Sequence, residues 1–160
     1  MIVCIDSQVC VWGIKGKSSP DQEHMIPKAE QFFKHLDENQ IEVLIPTIVL
    51  AEILMPEPKE IHTEYMEIIS KHFIIAPFDE RSAMKYAEIL YGRLEEAKQY
   101  AKDNEIRREK MKMDHAIVAT AIIHGCSCIY SHDKGLASFA KDLIEVREIP
   151  PIPTQTNLFS

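Results

Sequence analysis

A chain of 160 residues fits one domain and can bury roughly two thirds of its unfolded surface, so folding requires neither a disulfide staple nor a structural metal. Its hydrophobic share of 46% and charged share of 27% exclude a disordered chain, and no apolar run reaches the length of a membrane span. The net charge of −7 argues against a generally basic nucleic-acid binder, but not against an enzyme whose acids capture a cation.

Residues 2–5, Ile-Val-Cys-Ile, read as a buried strand, and nothing around them has the pattern of an export signal. A cytoplasmic protein with reduced thiols is therefore expected. The spacings of Cys4, Cys10, Cys126 and Cys128 match no common zinc pattern, and the strand-like settings of Cys4 and Cys128 suit buried hydrophobes. A loop over 13–20 leads to a helix over 25–38, with Ile26, Ala29, Phe32, Phe33 and Leu36 at three- and four-residue spacing. Residues 43–45 form a second strand. Pro46-Thr47 breaks it and places Thr47 as N-cap of a helix over 48–54, which Pro56 and Pro58 end. A helix over 61–71 and a third strand over 73–76 follow. Asp79 caps a long helix carrying Ala83, Tyr86, Ala87, Leu90 and Leu94 on one face.

The charged stretch 95–112 continues that helix or turns before the next element. Within it, residues 107–112 carry four basic side chains against one acid, a solvated face or a phosphate-steering patch. A compact helix over 114–124, stopped by Gly125, leads to a fourth strand over 127–131 and a weak fifth over 143–146. Alternating strands and helices imply a three-layer α/β/α domain over residues 1–148 with a central, mostly parallel sheet of four or five strands. Residues 149–160 read as a Pro-rich tail.

In an open parallel sheet, ligands bind beyond the carboxyl ends of the strands. Asp6 directly follows the first strand, and Asp133 lies two residues beyond the apolar part of the fourth. Asp114 opens the helix leading into that fourth strand, and Glu52 lies about 7 Å of helix rise past the second. All four can meet. Singly, each has a plainer explanation, Asp114 as an N-cap and Asp133 as a turn residue; but Glu52 sits in the apolar run Ile48–Leu54, where an unpaired charge is costly. Two carboxylates ~5 Å apart repel by ~3 kcal/mol at an effective dielectric near 20, so convergence calls for a cation. Oxygen-only donors select Mg²⁺ or Mn²⁺, whose usual chemistry is phosphodiester hydrolysis.

Four segments, taken in order, also carry a family resemblance: a hydrophobic strand with Asp6-Ser7, the run from Pro46 to Ile53 containing Glu52, the run from Met113 to Ala121 containing Asp114, and Ile129-Tyr130-Ser131-His132-Asp133. The chain resembles the PIN-domain nucleases, particularly the small VapC-type toxin ribonucleases, over residues 1 to about 146. The resemblance implies a metal-dependent endoribonuclease of single-stranded RNA in which Asp6, Glu52, Asp114 and Asp133 hold one or two metals, an activated water attacks phosphorus and a 3′-hydroxyl leaves. It gives Ser7 and Ser131 the role of orienting acids or substrate, and it implies a homodimer with a cognate antitoxin whose tail blocks the site. His115 stands where the family has a small or apolar residue, and Gly135-Leu136 where an acidic-aromatic pair is common.

Lys112, Lys134 and His115 are candidate substrate contacts, with His132 beside Asp133 as a further one. Trp12 reads as core or as a base-stacking platform, and His124 as an ordinary helix end. The tail segment Gln155–Phe159 resembles peptides that dock into sliding clamps. The competing functions are a PIN nuclease of RNA processing or DNA metabolism, and an inactive PIN-fold binding module. A haloacid-dehalogenase phosphatase is excluded because Gln8 stands where its second acid belongs, and a response-regulator receiver because the third strand lacks a phosphoacceptor.

Overall fold

The structure is a computed structural model and describes residues 1–151. Five parallel strands, β1 (Ile2–Ile5), β2 (Glu42–Pro46), β3 (Ile74–Ala76), β4 (Cys128–Tyr130) and β5 (Glu145–Arg147), form one sheet in the order β3-β2-β1-β4-β5. The helices are α1 (Ser7–Gly13), α2 (Met25–Glu38), α3 (Thr47–Leu54), α4 (Lys59–His72), α5 (Glu80–Asp103), α6 (Arg108–Ile123) and α7 (Lys134–Ala140). The order reverses at β1, so β1 is bonded on both edges and its carboxyl end lies at the switch point where such sheets bind ligands. This is the expected α/β architecture with all five strands present.

The central strands bury almost every side chain because helices cover both faces. Ile5, Leu44, Ile45 and Ile129 are fully enclosed, with Phe32 of α2 packed edge-on against Tyr130 at 4.5 Å between ring centres. The helix over 25–38 matches α2 to the residue, as its amphipathic spacing requires. Gly13 ends α1 where a Cβ would lie 2.3 Å from the Phe33 ring, and Gly125, at φ +73°, makes the left-handed turn out of α6. The cysteines of the described chain are free, three of them buried.

The differences are local. Residues 7–13 form a helix, not an irregular lead into the 13–20 loop, because the Asp6 side chain caps it by accepting from Val9 N at 3.0 Å. Thr47 is the first residue of α3 and not its cap; Pro46 holds that position without a side-chain bond, and Thr47 Oγ1 accepts instead from Phe78 N at 3.2 Å. The helix expected over 114–124 begins at Arg108, so Asp114 lies in its second turn. α7 was not expected at all. The Gln155–Phe159 segment lies outside the described residues.

Asp79 does cap α5, accepting from Ser82 N at 2.9 Å. Asp79→Ala is therefore expected to lower the urea midpoint without changing the slope of the transition; an unchanged midpoint would deny the cap any net value.

Candidate active site

Register alone brings two site residues together. Ile5 pairs with Tyr130, so the next residues, Asp6 and Ser131, emerge side by side beyond the sheet. Ser131 Oγ donates to Asp6 Oδ2, and the same oxygen accepts from Asp133 N at 3.0 Å. One buried hydroxyl thus ties the ends of β1 and β4. Asp133 Oδ1 accepts from Gly135 N at 2.7 Å and Leu136 N at 3.1 Å, which caps α7, while its Oδ2 receives the Lys110 ammonium at 2.5 Å.

Lys110 enters from α6. On that helix Lys110, Asp114 and Ile117 follow at spacings of four and three and share one face. That face lines a cleft of about 340 Å³, with Asp6, Ser7, Glu52 and Asp133 on its other walls. Lys110 Nζ also donates to Asp114 Oδ2 at 3.2 Å. Glu52 reaches the cleft from α3 half-buried, and makes no hydrogen bond or ion pair among the described residues. Trp12 and His132 also line the wall, ring edge to ring face at 5.2 Å, along with Gln8, Gln22 and Leu136.

Burial dominates the electrostatics. It pushes the Asp6 carboxyl up to about 6, against the bonds from Ser131 and Val9 N, and the charge of Asp133 adds to the rise. It pushes Asp114 up to about 7, with Lys110 opposing and Asp133 and Glu52 reinforcing. Asp133 is also desolvated, but the Lys110 bond and the α7 amides outweigh that and hold it below the usual carboxylate range. A single ammonium leaves the pocket short of positive charge.

A sequence profile for the PIN domain matches residues 3–142. The chain belongs to the PIN domain family. PIN domains are nucleases, which sets the class of chemistry for this cleft. Among solved structures, a chain of VapBC2 from Rickettsia felis, bound to a DNA fragment from their promoter, superposes with a TM-score of 0.61 at 16% identity. The match covers 92% of this PIN domain chain and 98% of the other. No curated protein sequence matches it.

Within this PIN domain the four acids expected from the sequence line one cleft together with Ser7, and Ser131, buried behind that wall, donates to Asp6. Three other candidates do not. Lys112 is exposed on the face of α6 shared with Arg108 and lines a separate groove towards α5. Lys134, the first residue of α7, is exposed and contributes nothing to the cleft wall. His115 is buried between α5, α6 and α7, stacked on Phe139 at 3.6 Å, and burial lowers its pKa to about 4. The lysine in the cleft is Lys110, and its signal was its position four residues before Asp114. Starting the helix at Asp114 hid that relation.

Among the described residues, no three Asp, Glu, His or Cys side chains stand close enough to hold a metal ion as placed. The Lys110 ammonium lies against both Asp114 and Asp133. The donor set nevertheless fits a hard divalent cation. It is carboxylate and hydroxyl oxygen only, with one ammonium among four acids.

Proposed function

We propose that this chain is a Mg²⁺- or Mn²⁺-dependent endoribonuclease of single-stranded RNA and the toxin of a toxin–antitoxin pair. What carries the reading is the gathering of Asp6, Glu52, Asp114 and Asp133, from four distant segments, around one cleft that holds a single ammonium. Asp6, Glu52 and Asp114 would form the core of the metal site, with Asp133 completing it directly or through water. When bound there, such an ion polarises the phosphate and lowers the pKa of a coordinated water.

The residues around it have separable tasks. Ser131 fixes Asp6, and the α7 amides fix Asp133, so two of the acids are oriented before any ion arrives. Lys110 offsets part of the charge of Asp114 and Asp133 and sets a cation where a phosphate would enter. Trp12 is core, 1% exposed, and braces the half-buried His132 ring, which alone of the two can meet substrate at that wall. Met84 and Tyr91, seven residues apart on α5 and strongly exposed, supply apolar surface for a second copy.

The test is incubation of the purified chain with single-stranded RNA and matched DNA, in Mg²⁺, in Mn²⁺ and in EDTA. Metal-dependent RNA fragments with 3′-hydroxyl ends are expected, and absence of cleavage with either metal overturns the reading. Induction in cells is expected to arrest growth, with relief by a small protein encoded next to the gene. Cleavage without toxicity would make the chain a nuclease of RNA processing. Ser131→Ala, which frees Asp6, is expected to lower cleavage about 10- to 100-fold while the chain stays folded; full activity would show that the hydroxyl does not position the acid.

A further inference from the structure

Beside Asp114, α6 turns a second face away from the acid cleft. Met111 and His115, four residues apart, lie on it and face α5 and α7. A cavity of about 80 Å³ opens there, several times the ~10–15 Å³ that one water needs and enough for a planar ring. Tyr100, Met111 and Phe139 make its walls apolar and aromatic, and Asp114 belongs both to it and to the acid cleft.

Its polar groups are few and unspent. His115 is 3% exposed, and its Nδ1 is buried with no hydrogen-bond partner. A buried ring nitrogen left unpaired is costly unless a ligand supplies the partner. At the mouth, the exposed Glu96 carboxylate pairs with no cation among the described residues. Arg93, which also lines the cavity, donates through Nη1 to Phe139 O at 3.2 Å and Lys141 O at 2.9 Å.

We propose that this cavity is the pocket for one unpaired guanine base of the RNA substrate, next to the phosphate held at the acid cleft. An aromatic-walled slot takes a base by its face, which explains the apolar lining. Arg93 and Glu96 together leave this rim with no net positive charge to draw a phosphate, whereas Lys110 supplies one across Asp114, so the backbone stays on the Lys110 side and the base occupies this one. Among the four bases, only guanine presents two adjacent N–H donors, N1–H and the 2-amino group, to the two oxygens of a carboxylate. Glu96 is therefore the specificity residue.

This inference rests on the ribonuclease reading, and the experiment separates the two. Single-stranded RNAs that differ at one nucleotide (G, A, C or U) are cleaved by the wild-type chain in Mn²⁺, and the binding of guanosine and adenosine 5′-monophosphates to the metal-free chain is followed by NMR at the His115 ring. Guanine at one fixed position from the cut is expected to raise the rate about tenfold over adenine, and Glu96→Gln to bring the two within about twofold. Glu95→Gln, one residue away and paired with Lys98, should leave the ratio unchanged. Cleavage with equal rates for all four bases overturns the pocket and leaves the nuclease standing. If no RNA is cut, guanosine monophosphate decides: selective shifts at His115 that Glu96→Gln abolishes support the pocket, and their absence overturns it. Ala97→Met, which fills the cavity from α5, should remove the guanine preference as well.

Discussion

Asp114→Asn is expected to reduce metal-dependent RNA cleavage by about 10³-fold and to leave a folded chain that, without metal, melts no lower than the parent. The two halves of that result come from one feature. Asp114 is nearly buried, and removal from water pushes its carboxyl up to about 7, so its charge costs the fold free energy at neutral pH. Asparagine keeps the shape and removes the charge. Lys110 then loses one partner but keeps Asp133 at 2.5 Å. What disappears is the anionic oxygen that an incoming divalent ion needs. Cleavage rates and thermal melts of the purified variant decide the matter: turnover within a few-fold of the parent removes Asp114 from the chemistry, and a large fall in melting temperature makes the residue structural.

The second large effect is the pH dependence of stabilisation by metal. At pH 5 both Asp6, at about 6, and Asp114, at about 7, are mostly protonated in the folded chain, and an ion must displace both protons. At pH 8 both are ionised. The apparent affinity for Mg²⁺ or Mn²⁺ should therefore rise about 10³-fold from pH 5 to pH 8, and the metal-induced gain in melting temperature should rise with it. Without metal the same two carboxyls act in the opposite sense. Their folded pKa values exceed the unfolded ones, so the stability they contribute is full below pH 4 and is lost as pH rises towards 7. His115 and His132 oppose this, because burial lowers both and their contribution is lost as pH falls below about 6.5. Lys110, held above its ordinary value, stays charged across the range. Comparing melts with and without metal at each pH cancels the histidines. A metal-induced gain that is equal at pH 5 and pH 8 would mean that these carboxyls do not bind the ion.

The strands and amphipathic helices were legible because their signal is periodic and self-contained. Phe32 and Leu36 of α2, or Ile5 at the end of β1, announce their burial by spacing alone. The elements that escaped are those started by a side chain that also faces the cleft. Asp6 caps α1 and Asp133 caps α7, yet both seven-residue helices lack a long enough repeat to show a period. The four acids could be named because each follows a strand or sits on an adjoining helix, which makes position beyond the sheet readable. Lys110, His115 and Lys112 could not be sorted. Which of them faces the acids depends on the rotation of α6, and that depends on where the helix begins. The pairing of Ser131 with Asp6 needed the register of β1 against β4, which no single segment encodes.

Asp133 divides its labour between its two oxygens, Oδ1 on the α7 amides and Oδ2 on the Lys110 ammonium. The neutral isostere at position 133 would weaken the foot of a helix whose far end carries Phe139 against His115. Inactivity in an Asp133 variant would thus confound a missing ligand with a slackened scaffold. A clean dissection of the chemistry begins at Asp114, which anchors nothing but a lysine.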